Sequence, residues 1–326
     1  AYVGPGVIFG ALFAAIAWNV ITTLLGIPSS ASHAIIGGLV GAGLAAGGFV
    51  AISWSSVTKA AAGIVASPVV ALSIAFLAMY AIKGIQHLLR WHDNHPVFKV
   101  GQLISSAALS FGHGANDAQK TMGVIAALLL GAGYTTSTEE GKILIPDWVA
   151  FSAYAAIALG TLWGGWRVIE TMGLKITKLH ANSGAAANIG ANVAIFGATT
   201  AGVPISTTHA AASSVVGAGL GSRQRTNWKV VGEMATAWVV TIPSTAAIAF
   251  VLFWFTQAPG ALAWVLVGAA VLGFGTWAVR SMLRTISAKD VEAEVASEAE
   301  LARDFEQLDP GPDEDPQMMS GSGPKD

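Results

Sequence analysis

Gly26-Ile27-Pro28-Ser29-Ser30-Ala31-Ser32-His33-Ala34 is one member of a pair. The segment Gly202-Val203-Pro204-Ile205-Ser206-Thr207-Thr208-His209-Ala210 repeats its Gly, Pro, Ser and His in the same order 176 positions later. The register holds downstream, where Val40-Gly41-Ala42-Gly43-Leu44 falls on Val216-Gly217-Ala218-Gly219-Leu220, and Pro68 falls on Pro243 with one residue of slippage. A Gly/Ala-rich background can produce the shared Gly-Ala-Gly by chance, but a Pro, a Ser and a His in fixed order need a common origin. The chain is read as an internal duplication.

Each member of the pair interrupts a long apolar stretch. Charge-free or nearly charge-free runs occupy residues 7–25, 34–52, 60–82, 101–119, 121–137, 148–166, 184–202, 210–222, 234–256 and 261–279. A helix crossing ~30 Å of hydrocarbon at ~1.5 Å per residue needs about 20 such residues. The stretches 7–52 and 184–222 are broken at Gly26 and Pro28 and at Gly202 and Pro204, with hydroxyl residues at each break. Each reads as a helix–break–helix hairpin. Such a break needs protein or water around it, because lipid offers the freed backbone groups no partners.

The composition agrees. Of 326 residues, 53% are hydrophobic and 11% charged, against about 25% charged in a soluble domain. Residues 1–280 hold 13 Lys and Arg against 7 Asp and Glu, whereas residues 281–326 hold 4 against 12. These figures exclude a soluble enzyme, a secreted disulfide scaffold and a nucleic-acid binder. With no cysteine in the chain, disulfides and thiolate metal sites are absent. The expected fold is an all-α integral membrane protein, an inverted-repeat secondary transporter with broken-helix hairpins. Its parts are 1–82 (the C-terminal portion of the first repeat), 83–99 (a cytoplasmic loop), 100–280 (the second repeat) and 281–326 (an acidic tail with one weak amphipathic helix and then disorder).

Lys and Arg in short loops set the orientation. Residues 83–99, 167–180, 223–229 and 280–289 are basic and are placed in the cytoplasm, together with the tail. The segment 131–147, with Glu139, Glu140 and Asp147 against Lys142, is placed outside, as is the uncharged segment 48–58. The two hairpins then enter from opposite faces, as in an inverted repeat. The segment His113-Gly114-Ala115-Asn116-Asp117-Ala118-Gln119-Lys120-Thr121-Met122-Gly123 has no mate in the first copy. Its mate is expected upstream of Ala1, which makes the chain an N-terminal truncation.

Several residues carry chemistry. A carboxylate at membrane depth costs ~2.5–3.5 kcal/mol on insertion scales and marks ion paths. Asn116 and Asp117 are accordingly candidates for a coupling cation, with Gly112, Gly114 and Gly123 expected to let the backbone unwind and lend carbonyls. The competing reading is helix capping or a pair with Lys120. Ser29, Ser30, Ser32 and Ser206, Thr207, Thr208 follow a Pro at each break, where a helix N-terminus and hydroxyl donors make an anion cradle. N-capping is again the alternative. His33 and His209 are repeat mates and His113 precedes the Asn-Asp pair. A structural hydrogen bond is preferred to a proton relay for these three. Lys120 would counter an anion or pair with Asp117. Among His33, His113, His209 and Asp117 only His113 and Asp117 stand at a short ligand spacing, and no second such pair accompanies them, so no metal site is assigned. Thr23, Thr199, Asn19 and Asn192 are weaker candidates. Trp18, Trp54, Trp91, Trp148, Trp228 and Trp264, near span ends, read as interface belt residues.

These motifs resemble the inorganic phosphate transporter (Pit) family over residues 1–280. The resemblance rests on Gly114-Ala115-Asn116-Asp117 with its bacterial-looking continuation Ala118 to Gly123, and on the two Pro-Ser/Thr-His segments. It implies a symporter importing inorganic phosphate with a cation, H+ or Na+, as free phosphate or metal-phosphate, and no other cofactor. Carried over, Asn116 and Asp117 serve the cation, and Ser30, Ser32, Ser206, Thr207 and Thr208 serve the phosphate. Ala31 stands where a typical member has a further Ser, and the N-terminal Asn-Asp motif is missing. The expected setting is the inner membrane of a prokaryote, multi-pass, in contact with lipid, with a homodimer held open. Rival readings are a sulfate or other oxyanion permease of the same architecture, a channel and, more remotely, an intramembrane metal enzyme using the histidines and Asp117.

Overall fold

In the computed structural model, residues 4–138 and 141–284 are described, with isolated tail positions 290, 291, 293 and 296. The helices are α1 (Pro5–Leu24), α2 (Ala31–Gly47), α3 (Trp54–Leu89), α4 (Pro96–Gly131), α5 (Asp147–Trp163), α6 (Trp166–Glu170), α7 (Ala181–Thr200), α8 (Thr207–Ser222), α9 (Trp228–Thr256) and α10 (Ala261–Met282). A 3₁₀ turn, Gly48–Ala51, extends α2, and a π turn, Thr171–Lys175, extends α6. Among the described residues, five helices are long and apolar enough to cross a membrane: α1, α2 with its 3₁₀ extension, α3, α9 and α10. The bent pair of α5 and α6 supplies a sixth if it counts as one span. The description concerns the unit Ala1–Arg284; the acidic tail, with its expected amphipathic helix, falls in the second unit and almost wholly outside the described residues.

The duplication is visible in the helix bounds. Both ends of α1 and α7 are separated by the same 176 positions that separate the two motifs. The packing repeats as well. Within a copy, α1 lies on α2 and α7 on α8; between copies, α1 and α2 pack on α9, and α7 and α8 pack on α3. Each copy's hairpin therefore clasps the long helix of the other.

Small residues make this possible, because without a hydrophobic driving force helices in lipid associate through close backbone packing. The mates Gly41 and Gly217 sit at equivalent crossings, where a Cβ on Gly41 would strike the carbonyl of Ala246 and one on Gly217 the carbonyl of Leu72. The cores around them are rich in Ala, Val and Met, including Ala75, Met79, Ala186, Ala212 and Met234 on one side and Ala11, Ala14, Ala42 and Ala249 on the other. Pro68 lies inside α3 and Pro243 inside α9 without ending either helix.

Three expectations need correcting. The Gly112, Gly114 and Gly123 positions do not unwind: α4 is one continuous helix of 36 residues. Gly112 instead lets the ring of Phe196 come to 3.0 Å of its would-be Cβ. The segment 167–180 is not a plain loop, because α5 stops at Gly164-Gly165, where Gly165 has φ 91°, and the chain turns into α6 and the π turn. Trp18 is not a belt residue, since its Nε1 donates inward to Thr241 Oγ1 at 2.9 Å. By contrast Trp54, Trp148, Trp228 and Trp264 are exposed.

Candidate functional site

The two breaks are built alike. Gly26 and Gly202 carry positive φ, 71° and 65°, the left-handed region that glycine enters without a Cβ penalty. Ser30 then caps α2 by accepting from His33 N at 3.2 Å, and Ser206 caps α8 by accepting from His209 N at 3.2 Å. Both cap serines are buried. The His33 and His209 rings meet edge to face, with centroids 4.3 Å apart, where the copies join. His209 also stacks on Trp238, centroids 3.8 Å apart. The capping reading of Ser30 and Ser206 thus acquires a definite geometry, whereas the hydrogen bond expected of His33 and His209 is not formed: their ring nitrogens are buried without a hydrogen-bond partner among the described residues, and ring packing holds them instead.

Between the breaks lies α4, which brings Asp117 and Lys120 to them. Lys120 Nζ donates to Asp117 Oδ1 at 2.8 Å, to Ser32 Oγ at 2.7 Å and to the carbonyl of Ile205 at 2.8 Å. The other carboxylate oxygen, Asp117 Oδ2, lies 3.0 Å from His113 Nε2 and accepts from Thr207 Oγ1 at 3.2 Å. Ser32 donates to the Ile205 carbonyl at 3.2 Å. One network thus ties α4 to the first turn of α2, to the second break and to the first turn of α8. Asp117 is mid-helix, so the capping alternative for it falls away, while its pairing with Lys120 is realised.

Asn116 faces α7, donating from Nδ2 to Thr199 Oγ1 at 2.9 Å; its Oδ1 is buried with no hydrogen bond among the described residues. Asn192 donates to the Ser105 carbonyl at 2.9 Å, further along the same interface.

A cavity of about 520 Å³ opens beside this network. Its lining includes Ser29, Ser32 and Thr208 from the hairpins, His113, Asp117 and Lys120 from α4, and Asn19 and Thr23 from α1. Ser29 is paired with Thr22, Oγ to Oγ1 2.6 Å. Two more cavities abut it. One of about 660 Å³ shares His113 and Thr208 and continues along Val168, Ile169 and Met172. The other, of about 410 Å³, shares Ser32 and Lys120 and continues to Ile52, Ser53 and Ser56.

Some contributors were hidden in the sequence. Trp238 Nε1 donates to the Pro28 carbonyl at 3.0 Å, Thr171 Oγ1 to the Gly26 carbonyl at 2.8 Å and Arg167 Nη1 to the Leu24 carbonyl at 3.3 Å. These bonds hold the first break from outside its own hairpin. Trp238 lies inside an apolar run rather than at its end, which is the one signal that sets it apart from belt tryptophans. Among the described residues no three His, Asp or Glu side chains converge as metal ligands. His33 and His209 form one pair and His113 and Asp117 another.

Comparison with known proteins bears on the same segments. The chain matches the phosphate transporter family over residues 3–93 and 86–249. A protein of Rhizobium meliloti, named probable low-affinity inorganic phosphate transporter, is 45% identical over 247 residues, covering 76% of this chain and 73% of its own. One of the same name from Bacillus subtilis is 39% identical over 251 residues, 77% and 74% of the two chains. The solved structure of a protein described as the sodium-dependent phosphate transporter superposes with TM-score 0.65 at 26% identity, over 78% of this chain and 81% of that one. These relatives are named as transporters and not as enzymes, and the family's model spans most of this chain: the chain belongs to the phosphate transporter family.

Proposed function

We propose that the protein is a secondary active symporter that imports inorganic phosphate with a cation across the inner membrane of a prokaryote, its tail in the cytoplasm. The observation that carries this reading is the cavity of about 520 Å³ in which hydroxyls from both hairpins, Ser29, Ser32 and Thr208, meet Asp117 and Lys120. An oxyanion there meets the N-terminal turns of α2 and α8, where free N–H groups and the helix dipoles favour negative charge. Lys120 adds a full positive charge. Phosphate near neutral pH retains a proton to donate, which the Asp117 carboxylate and the hydroxyls accept; sulfate has none. That difference favours phosphate over sulfate.

Alternating access is supported by the flanking cavities. Under the charge-based orientation, the space along Val168 and Met172 faces the cytoplasm and the space along Ser53 and Ser56 faces outward, with the Asp117 network between them. Inverted repeats that exchange conformations would open each in turn. The free, buried Asn116 Oδ1 gives a coupling cation a hard oxygen ligand. Of the described helices, α10 presents its apolar surface most openly, with Trp264 and Leu272 exposed, as contact with lipid requires.

The test is uptake of labelled phosphate into proteoliposomes under imposed proton or sodium gradients, with sulfate as competitor. Accumulation above equilibrium that sulfate leaves unchanged is the expected result. Flux that only equilibrates phosphate would indicate a channel, and strong sulfate inhibition would indicate a broader oxyanion permease.

A further inference from the structure

Lys120 Nζ is caged by three oxygens of three kinds: a carboxylate oxygen of Asp117 at 2.8 Å, the Ser32 hydroxyl at 2.7 Å and the Ile205 main-chain carbonyl at 2.8 Å. They come from α4, from α2 and from the break before α8. An ammonium has three donors and no acceptor, so this set saturates it. The same oxygen types form the shells of hard metal cations. Asp117 keeps one lone-pair site on Oδ1 in this arrangement, because Oδ2 is held by His113 at 3.0 Å and Thr207 at 3.2 Å. The side chains of Lys120 and Asp117 are 18% and 20% exposed, so the pair is largely removed from bulk water.

We propose that Lys120 is a tethered cation occupying an alkali-cation position between the two hairpins and α4, and that this position consequently takes no sodium. The inference rests on the symport reading and refines it: the ammonium supplies permanently, from the protein itself, the charge that a bound alkali ion would bring to Asp117, Ser32 and Ile205. A second cation cannot enter while Nζ is in place, since like charges a few ångströms apart repel strongly where the effective dielectric is low. The coupling ion must then act elsewhere or be a proton. Likeness to a protein described as sodium-dependent does not by itself carry sodium to this position.

Vacating the cage tests the idea. Lys120→Asn and Lys120→Ser each remove the ammonium and leave the three oxygens. The melting temperature of purified protein is compared in sodium chloride and in choline chloride at equal ionic strength. Both variants are expected to gain a saturable sodium-dependent rise of about 3–5 °C, which the parent lacks. Variants whose sodium response equals that of the parent would overturn the proposal. Should neither variant fold, the parent protein decides: crystals grown with thallium replacing sodium should show no anomalous peak within coordination distance of the three oxygens, and a peak there overturns it. Because both readouts report ion binding, a sodium response with no phosphate flux in any of the proteins would sustain this inference while striking the transport reading.

Discussion

Ser206 and Thr208 stand two residues apart and do different work. Ser206 is buried and its oxygen accepts from His209 N, whereas Thr208 lines the cavity beside Asp117. Ser206→Ala is therefore predicted to lower stability by about 1 kcal/mol through the lost cap, read as a drop in melting temperature. Thr208→Ala should leave the melting temperature nearly unchanged and raise the half-saturating phosphate concentration severalfold. Sequence alone grouped the hydroxyls as one cradle, because capping and anion binding use the same residue types at the same helix end. Only geometry separates them. The Asp117–Lys120 pair makes a second prediction at this scale. Asp117→Asn strands a largely buried ammonium at a cost on the order of 2 kcal/mol, discounted for the pair's partial exposure. The double variant Asp117→Asn with Lys120→Met should recover most of the lost melting temperature and still fail to accumulate phosphate. That dissociation distinguishes a functional Asp117–Lys120 pair from a structural one.

At the level of elements, the hairpins depend on glycines for two separate reasons. At Gly41 and Gly217 the reason is proximity, since an added Cβ meets a backbone carbonyl that cannot swing aside. Gly217→Val is predicted to cost about 2 kcal/mol or more by overpacking, while Gly268→Ala in α10, with no atom within 4 Å of the added carbon, is predicted to be neutral. At Gly26 and Gly202 the reason is backbone conformation, and the two should respond unequally. Both substitutions to Ala incur the left-handed cost of ~1–2 kcal/mol, but only at Gly26 does the new Cβ also press on Arg167, 3.2 Å away. Gly26→Ala should thus show the larger loss of melting temperature. The hairpins and their breaks were legible because Gly, Pro and Ser/Thr mark them locally. The continuity of α4 through Gly112, Gly114 and Gly123 was not, since tertiary packing overrides helix propensity. Nor were Arg167, Thr171 and Trp238, which reach the first break from distant sequence, by contacts that no local pattern encodes.

On the scale of the whole molecule, duplication gives a chain with so few charges two helix N-termini for the proposed anion site. Each copy supplies one broken hairpin, each hairpin packs on the long helix of the other copy, and the breaks meet at the His33–His209 contact. The two helix N-termini contribute partial positive charge without adding ionised groups to the bilayer interior. Repeat arithmetic made this architecture readable: the offset of the motifs is the offset of the helix bounds. The way the copies interlock was not readable, because self-similarity says what is repeated and nothing about which copy packs on which.

Phosphate uptake by proteoliposomes carrying either the parent protein or Asp117→Asn, compared at equal amounts of monodisperse protein under the same imposed ion gradient, tests the role of the Asp117 network most directly. The parent should accumulate phosphate above equilibrium, and the variant should lose at least about tenfold in rate, the effect of some 1.4 kcal/mol on the barrier. Undiminished accumulation by a folded Asp117→Asn protein would contradict a mechanism centred on the Asp117 network.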